Sequence, residues 1–417
     1  MILVDFSSIM HRFIHTSISH TNPRLQNNLY ITSDYSKLLI SMILEELINL
    51  KFTYKNYGEI VIAFDNYTEK NWRKDLFKDY KASRSKDRST SKVNFSEVFE
   101  IVNELIENIK SYLPWKTLDV PKAEADDIIL ILAEHYTNEK ILIYSPDKDF
   151  IQAQKNSNVD QYSPLTRKWI KPENKNLNMK EWLQEHVILG DEGDGVPKIL
   201  ECTEFSDSFI KHLSEFSEVI ETENIKDVLE FRKLSKEVKL KIINSFKIYK
   251  TNRKGENTIL DIYKTPRFGL SNIKNIKSGN YKKKLIQEEY NTKIKALRKL
   301  KKEVDKLQKP KINSKIVELI KLRDSVVVNE SSTDLLDEFI NSNELYKEHY
   351  ERNKKLVLTE GIPKDIKAKI LEQFLIKHEY NKEKFDEYLM KNSLTNIMME
   401  LPKVFSSEEL SIDNCGW

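Results

Sequence analysis

Short apolar runs that end near an acidic residue, separated by stretches of helical periodicity, constrain the fold of this chain most strongly. Residues 2–6 and 59–65 each predict a buried strand, and residues 140–145 predict a third strand that is followed by acids. The stretches with apolar residues at helical spacing are 35–52, 96–112 and 123–136. Strands that alternate with helices predict an α/β fold with a doubly wound, mostly parallel sheet flanked by helices.

The composition changes after about residue 200, where the chain becomes rich in lysine and in helical periodicity. Residues 282–309 carry many more basic than acidic side chains, and their apolar positions recur every three or four residues, which predicts a long helix. We expect Pro310 to end this helix and a returning helix to run from Ile316 to Val327, which gives an antiparallel hairpin. The next strand is predicted only at Lys355–Leu358.

The overall composition indicates the cellular compartment and gives the net charge of the chain. Of the 417 residues, 39% are hydrophobic and 32% are charged, and no apolar run has the length of a membrane span. Cys202 and Cys415 have no metal-ligand spacing and form no disulfide framework, so a reducing cytoplasm is the expected compartment. Because the net charge is only +3, a nucleic-acid partner must be argued from where the charges lie.

Acidic residues gather at the ends of the predicted strands and in two other segments. They are Asp5, Asp65, Glu124, Asp126, Asp127, Asp147, Asp149, Asp191 and Asp194. Glu124 and Asp127 lie three residues apart and share a helix face, whereas Asp147 and Asp149 point the same way in extended chain. Because ligand sites of doubly wound sheets lie beyond the carboxyl ends of the strands, we expect these side chains to converge.

So many carboxylates in one place would raise one another's pKa values and destabilise the fold unless cations neutralised them. Hard oxygen ligands favour Mg²⁺, for which Mn²⁺ is an expected substitute, over Zn²⁺. Two such ions about 3.5–4 Å apart support in-line attack on a phosphodiester. The acids therefore predict a two-metal nuclease in which Asp65 and Asp147 are essential, although any one of them alone also fits a turn residue or a helix cap.

A basic segment at residues 66–88 follows the second predicted strand and mixes cations with aromatic residues. The predicted nucleic-acid contacts are Arg73, Lys74, Tyr80, Lys81, Arg84, Lys86 and Arg88. Cations track a phosphate backbone, and aromatic rings stack on bases. Lys81 and Arg84 are the best candidates to contact the scissile phosphate and to stabilise charge in the transition state, while a solvated loop is the alternative interpretation.

Six short motifs, taken in order, resemble the flap endonuclease and 5′-3′ exonuclease family, which has a PIN-like fold. They are Ile2–Ser8, Phe64–Asp65, Tyr80–Arg84, Glu124–Asp127, Ser145–Asp149 and Gly190–Asp194. The segments that are similar to phage ribonuclease H members of this family are Trp72–Arg73, Gln161–Pro164, Lys168–Trp169, Arg352–Leu358 and Ile362–Pro363. The resemblance covers roughly residues 1–200 and 346–405.

The resemblance implies a role for each acidic and basic position that matches a motif. Those implied to hold the first metal ion are Asp5, Asp65, Glu124, Asp127 and Asp147. Those implied to hold the second are Asp149, Asp191 and Asp194, with Asp126 nearby. Lys81 and Arg84 match the basic pair of the family's helical arch, through or under which a single-stranded 5′ end passes.

The resemblance also implies an activity and partners. The expected activity is that of a 5′→3′ exonuclease and flap endonuclease on DNA and on RNA in RNA–DNA hybrids, which removes RNA primers during phage DNA replication. The expected partners are a single-stranded-DNA-binding protein and a sliding clamp. The chain is expected to be a monomer in the cytoplasm of the bacterial host, with no membrane association.

Three parts of the chain follow from the motifs and the composition. They are a nuclease domain at 1–204 with its arch at about 66–95, a basic helical insert at 205–345 and a C-terminal helical part at 346–417. Val196–Leu200 departs from the family because it has no Gly-x-Gly of a K⁺-binding helix-hairpin-helix. The insert has no counterpart in the family, so binding of duplex DNA, binding of a partner protein and a spacer role all remain open.

Two other classes of protein compete with this interpretation. A catalytically silent protein that recognises branched DNA is the first, and the complete acid set speaks against it. A PIN-like endoribonuclease is the second; proteins of that class need fewer acids, are much smaller and lack an arch of this length.

Overall fold

The computed structural model of this protein describes most of the chain up to residue 199 and from residue 270 onward. The described residues are 1–21, 33–82, 95–171, 179–199, 249–251, 257–259, 270–304 and 308–404. Three predicted phosphate contacts, Arg84, Lys86 and Arg88, lie outside them, as does the domain boundary predicted at residues 204 and 205.

The chain forms two compact units. Met1–Leu183, Asp191–Val196 and Lys354–Trp417 make up the first, which we call the sheet unit. Gln184–Gly190 and Pro197–Asn353 make up the second, which we call the helical unit.

The sheet unit is built on six strands. In chain order they are β1 (Ile2–Asp5), β2 (Ile60–Ala63), β3 (Lys116–Leu118), β4 (Ile141–Tyr144), β5 (Val159–Ser163) and β6 (Lys168–Ile170). Their order in the sheet is β3-β2-β1-β4-β5-β6, and only the β5–β6 pair is antiparallel. The predicted doubly wound, mostly parallel sheet is therefore confirmed, with β1 at its centre.

Both faces of this sheet are covered, which explains why its strands are continuous apolar runs. Successive residues of a strand point to opposite faces. Thus Ile2 and Val4 of β1 pack into one hydrophobic core, whereas Leu3 packs into the other. Strands buried on both faces need no polar alternation, as in other parallel sheets.

The described helices number fourteen. In chain order they are α1 (Phe6–Thr21), α2 (Ser33–Thr53), α3 (Arg73–Leu76), α4 (Phe95–Tyr112), α5 (Ala125–His135), α6 (Met179–Leu189), α7 (Leu270–Lys277), α8 (Asn280–Glu303), α9 (Lys309–Asp324), α10 (Ser332–Asn341), α11 (Glu344–Val357), α12 (Lys364–Leu375), α13 (Lys382–Lys391) and α14 (Thr395–Val404). Short 3₁₀ segments lie at Lys55–Tyr57, Lys148–Lys155 and Thr359–Gly361. None of these helices is long and apolar enough to cross a membrane.

The helical unit contains the predicted hairpin and a small pair of strands, β7 (Tyr249–Thr251) and β8 (Asn257–Ile259). Helices α8 and α9 pack against each other, and Gln287 Nε2 donates to the Arg323 carbonyl over 3.2 Å, so the predicted antiparallel hairpin is confirmed. Pro310, however, begins α9 and does not end α8. A proline is favoured in the first turn of a helix because its missing N–H would have no intrahelical partner there.

The strand predicted at Lys355–Leu358 is wrong. Residues up to Val357 form the last turn of α11, and Leu356 and Val357 are buried. A short apolar run does not by itself distinguish a strand from a buried helix end. The preceding residues of α11 provide the helical context.

Candidate active site

The acid that ends β1 and the acids that follow β2 and β4 meet at the carboxyl edge of the sheet. The register pairs Asp5 with Ala63 of β2, and it pairs Val4, one residue earlier, with Tyr144 of β4. Asp65 and Asp147 follow these partners within three residues, so the three acids emerge from adjacent strands. The convergence expected from the sequence is thus present at the central strands.

Hydrogen bonds from serine hydroxyls and backbone N–H groups orient two of these carboxylates. Asp5 Oδ1 accepts the Ser8 backbone N–H over 3.1 Å, and its Oδ2 accepts the Ser145 hydroxyl over 2.9 Å. Asp65 accepts the Ser7 hydroxyl over 2.7 Å and the Ala125 backbone N–H over 2.8 Å. The residues directly after β1 and β4 and the first turn of α5 therefore orient the acids.

Crowding of these acids has an electrostatic signature. Burial and then the charge of Asp65 raise the pKa of Asp5 from 3.8 to about 7, although hydrogen bonds from Ser8 and Ser145 oppose the shift. Desolvation and then the charge of Asp149 raise the pKa of Asp147 to about 6, even though Asp147 retains an exposed surface. Such shifts mark a place where negative charge is held at a cost and where a cation is stabilising.

Helix α5 brings three further acids to the site. Glu124 is its N-cap and forms a capping box with Asp127. Burial and then the charge of Asp5 raise the pKa of Asp126, which places Asp126 against the acids of the sheet edge. Burial alone would raise the pKa of Glu124, but the charges of Lys81 and Arg73 outweigh it and lower that pKa.

Asp127 is tied up in structural contacts. It is fully buried, and Arg73 donates to both of its oxygens, over 2.7 Å from Nη2 and 3.1 Å from Nη1. Trp72 Nε1 and the Glu124 backbone N–H also donate to Asp127 Oδ2, each over 3.0 Å. With four donors on two oxygens, Asp127 has little capacity left for a metal ion, so its contacts favour support over ligation.

The predicted role of Arg73 in nucleic-acid binding is contradicted. Its side chain is 5% exposed, lies over the Trp72 ring, and donates from Nε to the Leu356 carbonyl over 2.8 Å. The sequence shows an arginine in a basic segment, but it does not show that a buried carboxylate lies within reach. Arg73 therefore holds Asp127 and the end of α11 in place.

The predicted stacking role of Tyr80 is contradicted for the same reason. Tyr80 is 2% exposed, and its hydroxyl donates toward Glu124 Oε2 over 2.9 Å and Asp194 Oδ2 over 2.8 Å. Lys81 beside it points among the same acids, 2.8 Å from Glu124 Oε1 and 3.5 Å from Asp194 Oδ2. Tyr80 and Lys81 thus connect the basic segment to the acid group. Lys74, another predicted nucleic-acid contact, is only partly buried.

The last acidic segment is a tight turn closed by a bridge between Asp191 and Val196. The Lys81 backbone N–H donates to the Asp194 carbonyl over 2.8 Å, which seats the turn against the basic segment. Gly195 has a φ of +73°, and a Cβ there would lie 3.3 Å from the Asp79 carbonyl. A glycine is needed because both the left-handed backbone and the close approach disfavour a side chain.

The cleft between these segments holds the remaining acids. Its lining includes Asp126, Asp149, Asp191 and Asp194. Lys148 Nζ lies 3.2 Å from Asp191 Oδ2. Within the described residues, no three acidic or histidine side chains already stand in the arrangement of a complete metal site.

The donor set nevertheless suits a hard divalent cation. The side chains at this edge are carboxylates, and lysines and an arginine compensate part of their charge. Oxygen ligands of this kind match Mg²⁺ or Mn²⁺. The sheet edge is therefore a candidate centre for metal-assisted cleavage of a phosphate ester.

The N-terminal part of the chain is similar to a known nuclease family. Residues 1–186 match the model of the 5′-3′ exonuclease N-terminal resolvase-like domain. The resemblance predicted from the six motifs is thereby confirmed for this part of the chain, which carries all the acids of the site except Asp191 and Asp194.

Individual proteins of known activity are also similar to this chain. Ribonuclease H of Enterobacteria phage T4 is 32% identical over 211 residues, which cover 49% of this chain and 64% of the relative. The 5′-3′ exonuclease of Buchnera aphidicola subsp. Acyrthosiphon pisum is 33% identical over 180 residues, 41% of this chain and 60% of the relative. The chain thus spans less than two thirds of the length of these relatives. The crystal structure of the T5 D15 protein with metal ions aligns with 59% of this chain and with 84% of the T5 D15 chain. The sequence identity is 16% and the TM-score is 0.38.

Proposed function

We propose that this protein is a metal-dependent 5′→3′ exonuclease and flap endonuclease that hydrolyses phosphodiesters near the 5′ ends of nucleic acids. The observation that carries the proposal is the crowding of Asp5, Asp65 and Asp147 at the carboxyl edge of the sheet, with raised pKa values for Asp5 and Asp147. The family match of residues 1–186 supports the class of reaction.

The residues that would hold the metal ions divide into two groups. For the first ion they are Asp5, Asp65, Glu124, Asp126 and Asp147. For the second they are Asp149, Asp191 and Asp194. Asp127 is omitted from the first group, since its oxygens already accept from Arg73, Trp72 and its own helix. Bound Mg²⁺ would supply Lewis acidity that favours ionised water and neutralises charge on the leaving oxygen.

The chain's own groups would bind and orient the scissile phosphate. The Lys81 side chain is 13% exposed, and its ammonium already lies within the acid group, so it can exchange its carboxylate partner for a phosphate oxygen. Tyr80 would bridge Glu124 and Asp194, since its hydroxyl lies within hydrogen-bond distance of both. Arg84 keeps its predicted role as a second phosphate contact, together with Lys74, Lys86 and Arg88 along the strand.

The proposed substrates follow the names of the relatives, whereas the proposed partners follow only the family resemblance of the motifs. Ribonuclease H activity would act on RNA in RNA–DNA hybrids, and exonuclease and flap activity on DNA, which together would serve the removal of RNA primers during phage replication. A single-stranded-DNA-binding protein and a sliding clamp are the proposed partners. We further propose that the protein acts as a monomer in the host cytoplasm.

A substrate panel tests this function. The purified chain is incubated with a 5′-flap duplex, a blunt duplex, an RNA–DNA hybrid and single-stranded RNA, with Mg²⁺, with Mn²⁺ or with EDTA. We expect Mg²⁺-dependent products from 5′ ends of the flap and the hybrid, retained in Mn²⁺ and absent in EDTA. Binding of the flap without cleavage in any metal would instead establish the silent branched-DNA-binding protein. Preferential cleavage of single-stranded RNA at internal sites would establish the PIN-like endoribonuclease.

A further inference from the structure

The antiparallel hairpin of α8 and α9, which we call the finger, has almost no core. Its described side chains include one buried residue per helix, Ile294 in α8 and Ile316 in α9. Helices that bury so little leave most of their side chains to solvent, so the chemistry of the exposed faces decides what the finger can bind.

The exposed faces of the finger are strongly basic. Within α8 the acidic residues are confined to Glu288, Glu289 and Glu303, whereas lysines and an arginine occur along its whole length. The distal half of the finger, which comprises residues 291–303 and 309–316, contains nine basic residues and one acid, Glu303. This local charge is hidden in the near-neutral total of the chain.

The cations at the two ends of the finger differ in their pairing. At the base, Lys282 lies 2.6 Å from both Glu330 and Glu338, and Arg323 lies 2.8 Å from Asp324. In the distal half, Lys295, Lys299 and Lys302 are exposed and have no ion pair among the described residues. The basal cations therefore form ion pairs within the protein, whereas these three distal lysines form none among the described residues.

These distal lysines form one stripe. Positions 295, 299 and 302 recur at steps of four and three, so they share a face of α8 over a length of about 10 Å. A rigid row of cations matches a polyanion with closely spaced charges, and duplex DNA carries about one charge per 1.7 Å of its axis.

We infer that the distal half of the finger binds the phosphate backbone of duplex nucleic acid. Proteins that grip single strands combine cations with aromatic platforms on which bases stack, and the distal half contains no aromatic residue. Paired bases need no such platform, so the composition favours a duplex. The contact is independent of sequence because it reads phosphates and not base edges. It goes beyond the proposed cleavage reaction and does not require it.

The test compares two triple variants with the same change in charge. K295E/K299E/K302E alters the distal stripe, and K274E/K321E/K347E alters exposed lysines elsewhere in the helical unit. Glutamate is as good a helix former as lysine, so the helices should persist, which circular dichroism checks. Affinities for a blunt duplex and for a single-stranded oligonucleotide are measured in EDTA, so the result does not depend on whether the protein cleaves.

The stripe variant should lose about tenfold or more in duplex affinity, and the slope of log K against log salt should fall by about two to three. The control variant should lose much less, and single-strand affinity should change little in either. Neutral K295Q/K299Q/K302Q should show an intermediate loss if charge is the cause. Duplex affinity equal to that of the control variant would overturn the inference, as would an equal loss for the single strand. Loss of binding to a single-stranded-DNA-binding protein with unchanged duplex affinity would assign the finger to a protein partner and also overturn it.

Discussion

At the scale of single residues, Lys81 joins the two kinds of charge in the site. Its φ of +54° is unusual for a residue with a side chain, and its backbone N–H is held by the Asp194 carbonyl over 2.8 Å. Its ammonium lies 2.8 Å from Glu124. The backbone is thus committed to a strained position that directs a cation among carboxylates, which is typical of functional sites.

Removing this cation should affect turnover more than binding. Lys81→Ala is expected to lower the single-turnover cleavage rate of a 5′-flap substrate by about a hundredfold, because a group that stabilises transition-state charge is lost. Affinity measured in Ca²⁺ should change only a few-fold. Lys74→Ala, a partly buried neighbour in the same segment, is the control and should mainly weaken binding. An affinity loss large enough to explain the whole effect of Lys81→Ala would contradict the assigned role.

The buried Arg73–Asp127 pair predicts an effect on stability. Arg73→Met leaves the Asp127 carboxylate buried and unpaired, which should lower the free energy of unfolding by about 3–5 kcal/mol. Urea denaturation in EDTA measures this, with exposed Lys78→Met as the control. The double variant R73M/D127L should recover part of the loss, since no unpaired charge remains. If R73M were as stable as the control, the pair would not hold the site together.

At the scale of elements, the sequence predicts which acids converge. It does not predict which of these carboxylates already form ion pairs or hydrogen bonds with other protein groups. Asp5, Asp65 and Asp147 are predictable because strand ends of a parallel sheet share one edge. The engagement of Asp127 by Arg73 depends on contacts across 54 residues of chain, and no local pattern encodes them. A tryptophan–arginine pair just before a short helix is the signal that marks a buried anchor, but in the sequence it resembles an exposed basic segment.

The end of α11 supports the site through the backbone. Gln152 Nε2 donates to the Val357 carbonyl over 3.2 Å, and its Oε1 accepts from the backbone N–H and the hydroxyl of Thr359, each over 2.9 Å. The 3₁₀ turn that follows ends at Gly361, where a Cβ would lie 1.9 Å from the Lys355 carbonyl oxygen. Position 361 therefore has no room for a side chain.

Gly361→Ala should consequently distort the turn and destabilise the protein by about 1–3 kcal/mol or more, as overpacking does. Thermal denaturation measures the change, and Lys364→Ala on the exposed start of α12 is the control. Cleavage by the folded variant should also slow, since Arg73 and Gln152 lose their backbone partners. Stability and rate both unchanged would show that the turn tolerates a side chain and has no part in the support.

At the scale of the whole molecule, the fold class is predictable and the finer architecture is less so. The apolar runs of β1, β2 and β4 identify the sheet because they alternate along the chain with stretches of helical periodicity, which is the pattern of a parallel α/β fold. Strands β3 and β6, with three residues each, and the alternating β5 leave weaker signals. Their places depend on pairing with distant neighbours, which single-sequence periodicity does not reveal.

Charge crowding also gives the whole molecule a pH-dependent stability. The carboxyl groups of Asp5 and Asp147 have folded pKa values of about 7 and about 6, above 3.8, so they take up protons on folding. The metal-free protein should therefore lose stability as pH rises from about 4 through 7. Mg²⁺ competes with these protons, so it should raise the melting temperature more at pH 8 than at pH 5.5. If Mg²⁺ raised the melting temperature equally or more at pH 5.5, the raised pKa values of these crowded carboxyl groups would be contradicted.

The central claim is that acids at the carboxyl edge of the sheet hold the metal ions used for cleavage. The most direct measurement is the single-turnover cleavage rate of a 5′-flap duplex as a function of Mg²⁺ for the natural chain, Asp147→Asn, Asp65→Asn and the exposed control Asp365→Asn. We expect the two site variants to lose cleavage at all Mg²⁺ concentrations while still binding the flap, and Asp365→Asn to match the natural chain. Cleavage by Asp147→Asn and Asp65→Asn at the rate of the control would contradict it.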